Sequence, residues 1–365
     1  MNKVSTPLEI RAYTYKFASS TNSSWGYDYN YSKIWPKLFL TGSTTTKKPK
    51  IIAVVGPNAS GKSTLGIKLA TWLKRHGKSA EIISADSRQV YRGLDIGTGK
   101  ITKREMRGVP HHLIDVASPQ RIFSVAQFQR LGKTAIKKTL AKNKIPIIVG
   151  GTGLYVNALL GAYALPAVKP NFALRKKLER ETTESLYKKL LALDPERAKT
   201  IDRFNPRRLV RALEIVLTTK KPVPPLGKSS PYEVLKIGVR LPERELKNRI
   251  HERLYKRVRA GMITEVQKLK KQGLSSKRLD ALGLEYRFIN YYLRGLMKKA
   301  EMLQALEKAI WQYAKRQMTW FKRDKEIHWI SSPQAAIALA QKFLRMSSHG
   351  NNRTKIRIKS NRANS

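Results

Sequence analysis

The apolar residues of this chain fall into two kinds of pattern. Residues 51–55 form an unbroken run, Ile51-Ile52-Ala53-Val54-Val55, with the length and branched side chains of a buried strand. The run leads into a glycine-punctuated turn, after which Leu65, Leu69 and Leu73 recur at helical spacing until a stop at Gly77. Residues 81–84, 145–149 and 234–241 are further strand-like runs, and 125–142 reads as a helix. Strands alternating with helices predict an α/β fold: a parallel sheet flanked by helices, joined by right-handed crossovers. From about residue 166 the pattern changes to charged helices at 172–181, 183–193 and 207–220, closed by a proline-rich turn at 221–225. This predicts an all-helical insertion domain. Long helical patterns at 242–271 and 301–323 complete the chain's regular structure. The implied organisation is a core in two parts, 50–170 and 231–346, with the insertion at 171–230 between them. Residues 1–49, rich in Ser, Thr, Tyr and Asn, read as a disordered or loosely attached extension, and 347–365 as a basic flexible tail.

The turn after the first strand carries the clearest chemistry. Gly56, Gly61, Lys62 and Ser63 match the G-x-x-x-x-G-K-[ST] spacing, placed as that motif requires between a strand and a helix. In such a loop the backbone amides, here including those of Asn58, Ala59 and Ser60, surround phosphate oxygens. A lysine adds point charge and a hydroxyl can ligate Mg²⁺. The core is therefore expected to be P-loop NTPase-like. A phosphate loop defines a ligand group and leaves the reaction open.

Asp86 is the most suggestive carboxylate, in a polar loop after the second strand and beside the phosphate loop in the expected sheet order. It could ligate Mg²⁺, accept a proton from a nucleophile, or simply cap a turn. Ser87, Arg88 and Gln89 adjoin it as hydrogen-bond donors. The turn Gly150-Gly151-Thr152-Gly153 allows close backbone approach and offers one hydroxyl. His111 and His112 have no third ligand at a metal spacing and read as structural. Arg249 and Arg253 share a helix face and could clamp a diphosphate. Near the end of the chain Leu306, Ile310, Tyr313, Gln317 and Trp320 keep to one helical face, while Lys308, Lys315, Arg316 and Arg323 gather elsewhere. Aromatic and basic residues interleaved in this way suit RNA, and the same spacing suits a core stripe.

Charge changes the picture further. The formal net charge is +48, from 73 Lys and Arg against 25 Asp and Glu, which points to a polyanionic partner and to nucleic acid first. The chain has no cysteine, which excludes disulfides, thiol nucleophiles and Cys-ligated metals. No apolar run approaches membrane-spanning length, so no membrane association and a cytoplasmic location are expected.

In order along the chain occur GPNASGKS, SADSRQVYRGLDIGTGK, GVPHHLID, FSVAQF, VGGTGLY, NPRRLVRALE, GLEYR and QYAKRQMTWFKR. Together these blocks, spanning about residues 50–330, strongly resemble the tRNA dimethylallyltransferase family, also called tRNA isopentenyltransferases. The resemblance implies prenyl transfer from dimethylallyl diphosphate to the exocyclic amine of the adenosine 3′ of the anticodon in tRNA. The phosphate loop would then hold the diphosphate leaving group, through Lys62, the loop amides and Mg²⁺ on Ser63, with Arg253 as a further contact. Asp86 matches the family's general base and Thr152 a residue lining the channel where amine and donor meet. Arg175 matches a tRNA contact. The same pattern implies tRNA contacts at Asp86, Ser87, Arg88 and Gln89, at Arg207, Arg208, Leu209, Val210 and Arg211, at Gly283, Tyr286 and Arg287, and at Lys315, Arg316, Gln317 and Trp320. The expected partner is the tRNA anticodon stem-loop, with no obligate protein partner and a monomeric state.

Three positions depart from the family pattern: Asn58 stands where threonine is usual, Gly99-Lys100-Ile101 replaces Ala-Lys-Pro, and Phe288 stands where an acid is common. The absence of cysteine also removes the zinc finger of eukaryotic relatives, so the bacterial form is expected. The rival readings are an adenylate isopentenyltransferase acting on free nucleotide, a small-molecule P-loop kinase, and a non-catalytic RNA-binding P-loop protein.

Overall fold

The computed structural model describes residues 47–161, 166, 168–224 and 230–345. The expected tail at 347–365, most of the extension at 1–49 and the end of the proline-rich turn lie outside the described residues.

The first part of the core runs β1 (Lys50–Val55), α1 (Lys62–Arg75), β2 (Ala80–Ser84), α2 (Lys103–Met106), β3 (His111–His112), α3 (Val125–Ala141), β4 (Ile145–Gly150) and α4 (Gly153–Leu159). The insertion is α5 (Phe172–Leu178), α6 (Thr183–Leu193), α7 (Pro195–Thr200) and α8 (Pro206–Thr219). The core resumes with β5 (Glu233–Val239), α9 (Glu243–Arg259), α10 (Met262–Lys271), α11 (Ser276–Leu282), α12 (Leu284–Leu293), α13 (Lys299–Phe321), β6 (Ile327–Ile330) and α14 (Pro333–Leu344).

All six strands are parallel, in the order β3-β2-β4-β1-β5-β6. Successive residues of β1 point to opposite faces, as strand geometry demands. Ile51, Ala53 and Val55 join a core with Phe128, Leu306 and Ile310, whereas Ile52 and Val54 join another with Leu69, Leu73 and Ala336. The unbroken apolar run is thus a strand buried on both faces. The sheet order corrects one expectation. Asp86 does follow the second strand, but β4 lies between β1 and β2, so it is the Gly150–Gly153 turn that directly neighbours the phosphate loop. The first crossover skips a position that Ile147, Ile148 and Val149, all buried, later fill.

The helical pattern over 242–271 is two helices. Gly261, at φ 96°, supplies a left-handed turn that a residue with a Cβ adopts only under strain, and α10 starts there. No helix among the described residues is long and apolar enough to cross a membrane.

The insertion has its own apolar cluster, in which Leu178, Leu186, Leu190, Leu209, Val210 and Leu213 meet. Leu209 and Val210 are buried there, which corrects their expected role: their side chains build the insertion and cannot reach an RNA. Beside this cluster sits Glu214, with a side chain 0 % exposed. It accepts both Nε and Nη2 of Arg175 at 2.8 Å and the Asn171 N–H at 2.7 Å, and it pairs with Arg211. The guanidinium forks of Arg175 and Arg211 are therefore engaged inside the insertion, while Arg207 and Arg208 remain exposed. Burial alone would raise the Glu214 carboxyl, but the bonds from Arg175, Arg211 and Asn171 outweigh it and hold it at about 2.

Removing this carboxylate leaves two arginines without their acceptor, so Glu214→Ala should destabilise the insertion by roughly 2–4 kcal/mol. Amide exchange should rise across 172–219 with the sheet unchanged. Because the folded carboxyl lies below its ordinary 4.5, its stabilisation is complete above that pH and is lost as pH falls towards 2. Acid exposure should therefore release the insertion in the wild type, and a Glu214→Gln variant should show a weaker dependence over that range.

Candidate active site

The loop after β1 turns through Ala59 at φ 65° and Gly61 at φ 90°, two left-handed residues within three positions. Gly61 caps α1 without any side-chain hydrogen bond, so no side chain takes the first amides of this 14-residue helix. Open amides at a helix N-terminus attract anions. Lys62 lies in the first turn and is folded over the loop, its Nζ donating to Pro57 O at 3.2 Å. Burial lowers its pKa to about 8; Asp86 partly opposes this and Arg253 adds to it. Arg253, on α9, is itself pushed down by burial and then by the neighbouring Arg257. Lys62 is partly buried and Arg253 still exposes part of its side chain; the two cations disfavour each other and lie beside open amides, a site that an anion would relieve. Arg249 stays near Gly61 on the loop's outer side and pairs with Glu245 at 2.7 Å, so of the two arginines only Arg253 enters the main cavity.

That cavity, about 820 Å³ and open to solvent, is lined at one end by Asn58, Lys62, Ser63, Asp86 and Arg253. Ile101, Ile114 and Ile310 contribute aliphatic wall. A second cavity, of about 760 Å³, is lined by Ser87, Arg88, Gly283, Arg287 and Tyr313. The two share Asn58, Asp86, Thr98 and Glu285, so Asp86 stands where they meet.

The Asp86 carboxylate is both a turn cap and an available acceptor. Its Oδ1 accepts the N–H groups of Arg88 at 2.8 Å and Gln89 at 3.3 Å, while Oδ2 accepts no hydrogen bond among the described residues. The Asx turn fixes one oxygen and with it the aim of the other. Thr152, at the start of α4, accepts the Ser87 N–H at 3.2 Å and donates to Ser87 Oγ at 3.4 Å, with Tyr313 beside it. Ser63, exposed in the first turn of α1, adds a hydroxyl to the same cavity as Asp86. A hydroxyl and a carboxylate on one cavity are hard oxygen donors of the kind that Mg²⁺ takes from protein when phosphates supply the rest.

The remaining positions divide. Gln89, Arg88, Gly283 and Arg287 border the cavities, and Lys315 and Arg316 are exposed on α13. Trp320 is half-buried over Gly153. Two expectations are corrected. Tyr286 is 1 % exposed with its hydroxyl on Glu265 at 2.8 Å, and Gln317 is buried with its amide bonded to backbone at both ends, so neither side chain is presented to an RNA. His111 bonds Val109 O and His112 bonds Glu81, as structural histidines do.

Three residues at the site escaped the sequence reading. Tyr313 and Glu285 were legible as members of the aromatic face and of the GLEYR block. Glu265 carried no signal, yet its carboxylate accepts the N–H groups of Asp95, Ile96 and Gly97 and so shapes the loop that delivers Thr98 and Gly99.

Two cavities thus meet at one carboxylate beside a loop whose helix-end amides are open, an arrangement suited to an enzyme that joins two ligands. The chain belongs to the IPP transferase family, whose model matches residues 89–324. It is 38 % identical over 312 residues to the tRNA dimethylallyltransferase of Pelotomaculum thermopropionicum, covering 83 % of this chain and 98 % of the relative. It is 40 % identical to that of Thermomicrobium roseum, covering 79 % and 88 %. Among solved structures, the full-length tRNA isopentenylpyrophosphate transferase of Bacillus halodurans superposes with a TM-score of 0.60 at 36 % identity, covering 82 % of this chain and 96 % of that one. A eukaryotic dimethylallyltransferase acting on tRNA shares the fold at 23 % identity, with a TM-score of 0.68 and coverage of 81 % and 80 %.

With its pKa at about 8, Lys62 loses its charge as pH rises through that value in the ligand-free protein. Affinity for inorganic diphosphate should fall over that range, and Lys62→Arg, whose guanidinium stays charged, should remove the inflection. Calorimetric titrations from neutral to alkaline pH decide this; identical profiles in the two proteins would discard the lysine as the titrating group.

Proposed function

We propose that this chain transfers the dimethylallyl group of dimethylallyl diphosphate to the exocyclic amine of the adenosine 3′ of the anticodon in tRNA, giving N6-isopentenyladenosine and diphosphate. The observation that carries the reading is the meeting of the two cavities at Asp86. The first takes the donor: its cationic end suits a diphosphate and its aliphatic wall a five-carbon group. The second admits the adenine, which must leave the anticodon stack at a cost of a few kcal/mol. Arg88 and Arg287 at its rim can contribute phosphate contacts that offset this cost.

In the reaction the allylic C–O bond breaks, its electron pair leaves with diphosphate, and a new C–N6 bond forms. Lys62, Arg253 and the loop amides stabilise the charge that builds on the leaving group. Asp86 Oδ2 accepts the N6 proton as the bond forms, when the amine becomes acidic. Ser63 would hold Mg²⁺, which when bound supplies further charge neutralisation on the diphosphate. The enzyme is proposed to act as a monomer in the cytoplasm.

An adenylate-specific enzyme is disfavoured by the spread of exposed cations, Arg207, Arg208, Lys315 and Arg316, which a single nucleotide would leave unused. Incubation with Mg²⁺, dimethylallyl diphosphate and either unmodified tRNA or AMP, followed by mass analysis of the nucleosides, should yield prenylated adenosine from tRNA alone. Product from AMP alone would replace the acceptor. Asp86→Asn should lower kcat by about 10²–10⁴ with tRNA affinity kept, and unchanged turnover would remove the base assignment. Since phosphate contacts release counterions, tRNA affinity should drop steeply between low and moderate salt; a flat response would contradict the electrostatic role.

A further inference from the structure

Gln317 lies on α13, 6 % exposed, with both polar atoms of its amide engaged by backbone. Oε1 accepts the Asn58 N–H at 2.8 Å, and Nε2 donates to Gly151 O at 2.8 Å. These partners belong to the two loops that border Lys62, the phosphate loop after β1 and the turn after β4. A Cβ at Gly151 would stand 2.4 Å from Gln317 Nε2 and 3.3 Å from Lys62 Cε, so the loop backbone, the amide and the lysine stem are in direct packing. Ala59, next to the tethered Asn58, holds φ at 65°, a conformation that a residue with a Cβ keeps only where its surroundings impose it. The Gln317 bond is part of that imposition.

The same helix makes two further attachments to the turn after β4. Tyr313, one turn before Gln317, lies beside the Thr152 side chain, and Trp320, one turn after it, covers Gly153. Its outer side exposes Lys315 and Arg316.

We propose that Gln317 is a positioning residue: its amide clamps the phosphate loop at Asn58 to the Thr152 turn, holding the diphosphate cradle in register with the carboxylate and hydroxyl that face the acceptor. The proposal rests on the reading of the loop as a diphosphate site. It replaces the RNA contact that the residue's place in a basic block suggests with a role in donor binding.

Gln317→Met keeps the volume and removes both hydrogen bonds. Inorganic diphosphate with Mg²⁺ is the probe, titrated into the wild type and the variant alongside a tRNA anticodon stem-loop, with melting temperatures recorded. The variant's Kd for diphosphate and KM for dimethylallyl diphosphate should rise about ten-fold, with stem-loop affinity within about two-fold of wild type. Gln317→Glu, which keeps the acceptor for Asn58 N–H and loses the donor to Gly151 O, should shift in the same direction and serves if the methionine variant does not fold. Unchanged diphosphate affinity in a variant, or equal loss of both ligands, would overturn the positioning role. Absence of diphosphate binding to the wild type would overturn the reading of the loop and this role with it, whereas wild-type binding matched by Gln317→Met removes the Gln317 role alone.

Discussion

Because β1 is paired along its whole length with β5 on one edge and from Ile52 to Val55 with β4 on the other, its carboxyl end has almost no freedom to move. Val55 is in register with both Gly150 and Gly238, and the loop that follows starts from that fixed point. A phosphate cradle needs this constraint. Its amides act together only if they converge, and a wandering strand end would spread them. The cost falls on the loop itself, which must pass through left-handed conformations at Ala59 and Gly61. It also falls on Lys62 and Arg253, two cations brought near each other beside the loop. An anion on the same amides and cations would offset both costs. The strain is therefore a property of the ligand-free site, set by the sheet.

Acidic residues are few here, and the structure uses several of them internally. Glu81 is buried with Lys144, His112 and Thr139 around it, Glu214 holds Arg175 and Arg211, Glu265 binds three backbone amides, and Glu285 meets Arg257. Burial raises the Glu81 carboxyl, but the bonds from Lys144, His112 and Thr139 prevail and hold it at about 2. Each such acid neutralises interior charge or organises a loop, and so does little to dilute the positive surface. The excess of basic residues is then expressed mainly outside, where it draws a polyanion without reading it. Discrimination must come from the cavities, where a few fixed groups decide which base and which donor fit.

What could be read beforehand follows from how local each signal is. The phosphate loop is a contiguous eight-residue pattern, and the strands announce themselves by runs such as Ile51 to Val55, so both were legible. Sheet order was not: a right-handed crossover fixes a direction but not how many positions it skips, and β4 took the place beside β1. Polar residues with distant partners were misread for a related reason. Gln317 reaches Asn58 across 259 positions and Tyr286 finds Glu265 only through the packing of α12 on α10, so polarity along the chain marked them as surface. Leu209 and Val210 were misassigned by treating a whole block as a contact. On a helix, neighbours in sequence face different ways, and Arg207 and Arg208 are exposed where the two apolar residues are not.

The eukaryotic relative shares this fold at 23 % identity, which means that most side chains can change while the chain path stays. The physical reading of the site explains which features resist change. A cradle built from backbone amides depends on conformation more than on side-chain identity, so Asn58 can stand where threonine is usual: its N–H, not its side chain, is what the tether to Gln317 uses. The carboxylate of Asp86 has no such latitude, since one oxygen caps its own turn and the side chain lines both cavities. The phosphate loop is thus specified largely by backbone geometry, which the sheet and α13 hold together, and the acid between the cavities by one side chain that its turn fixes.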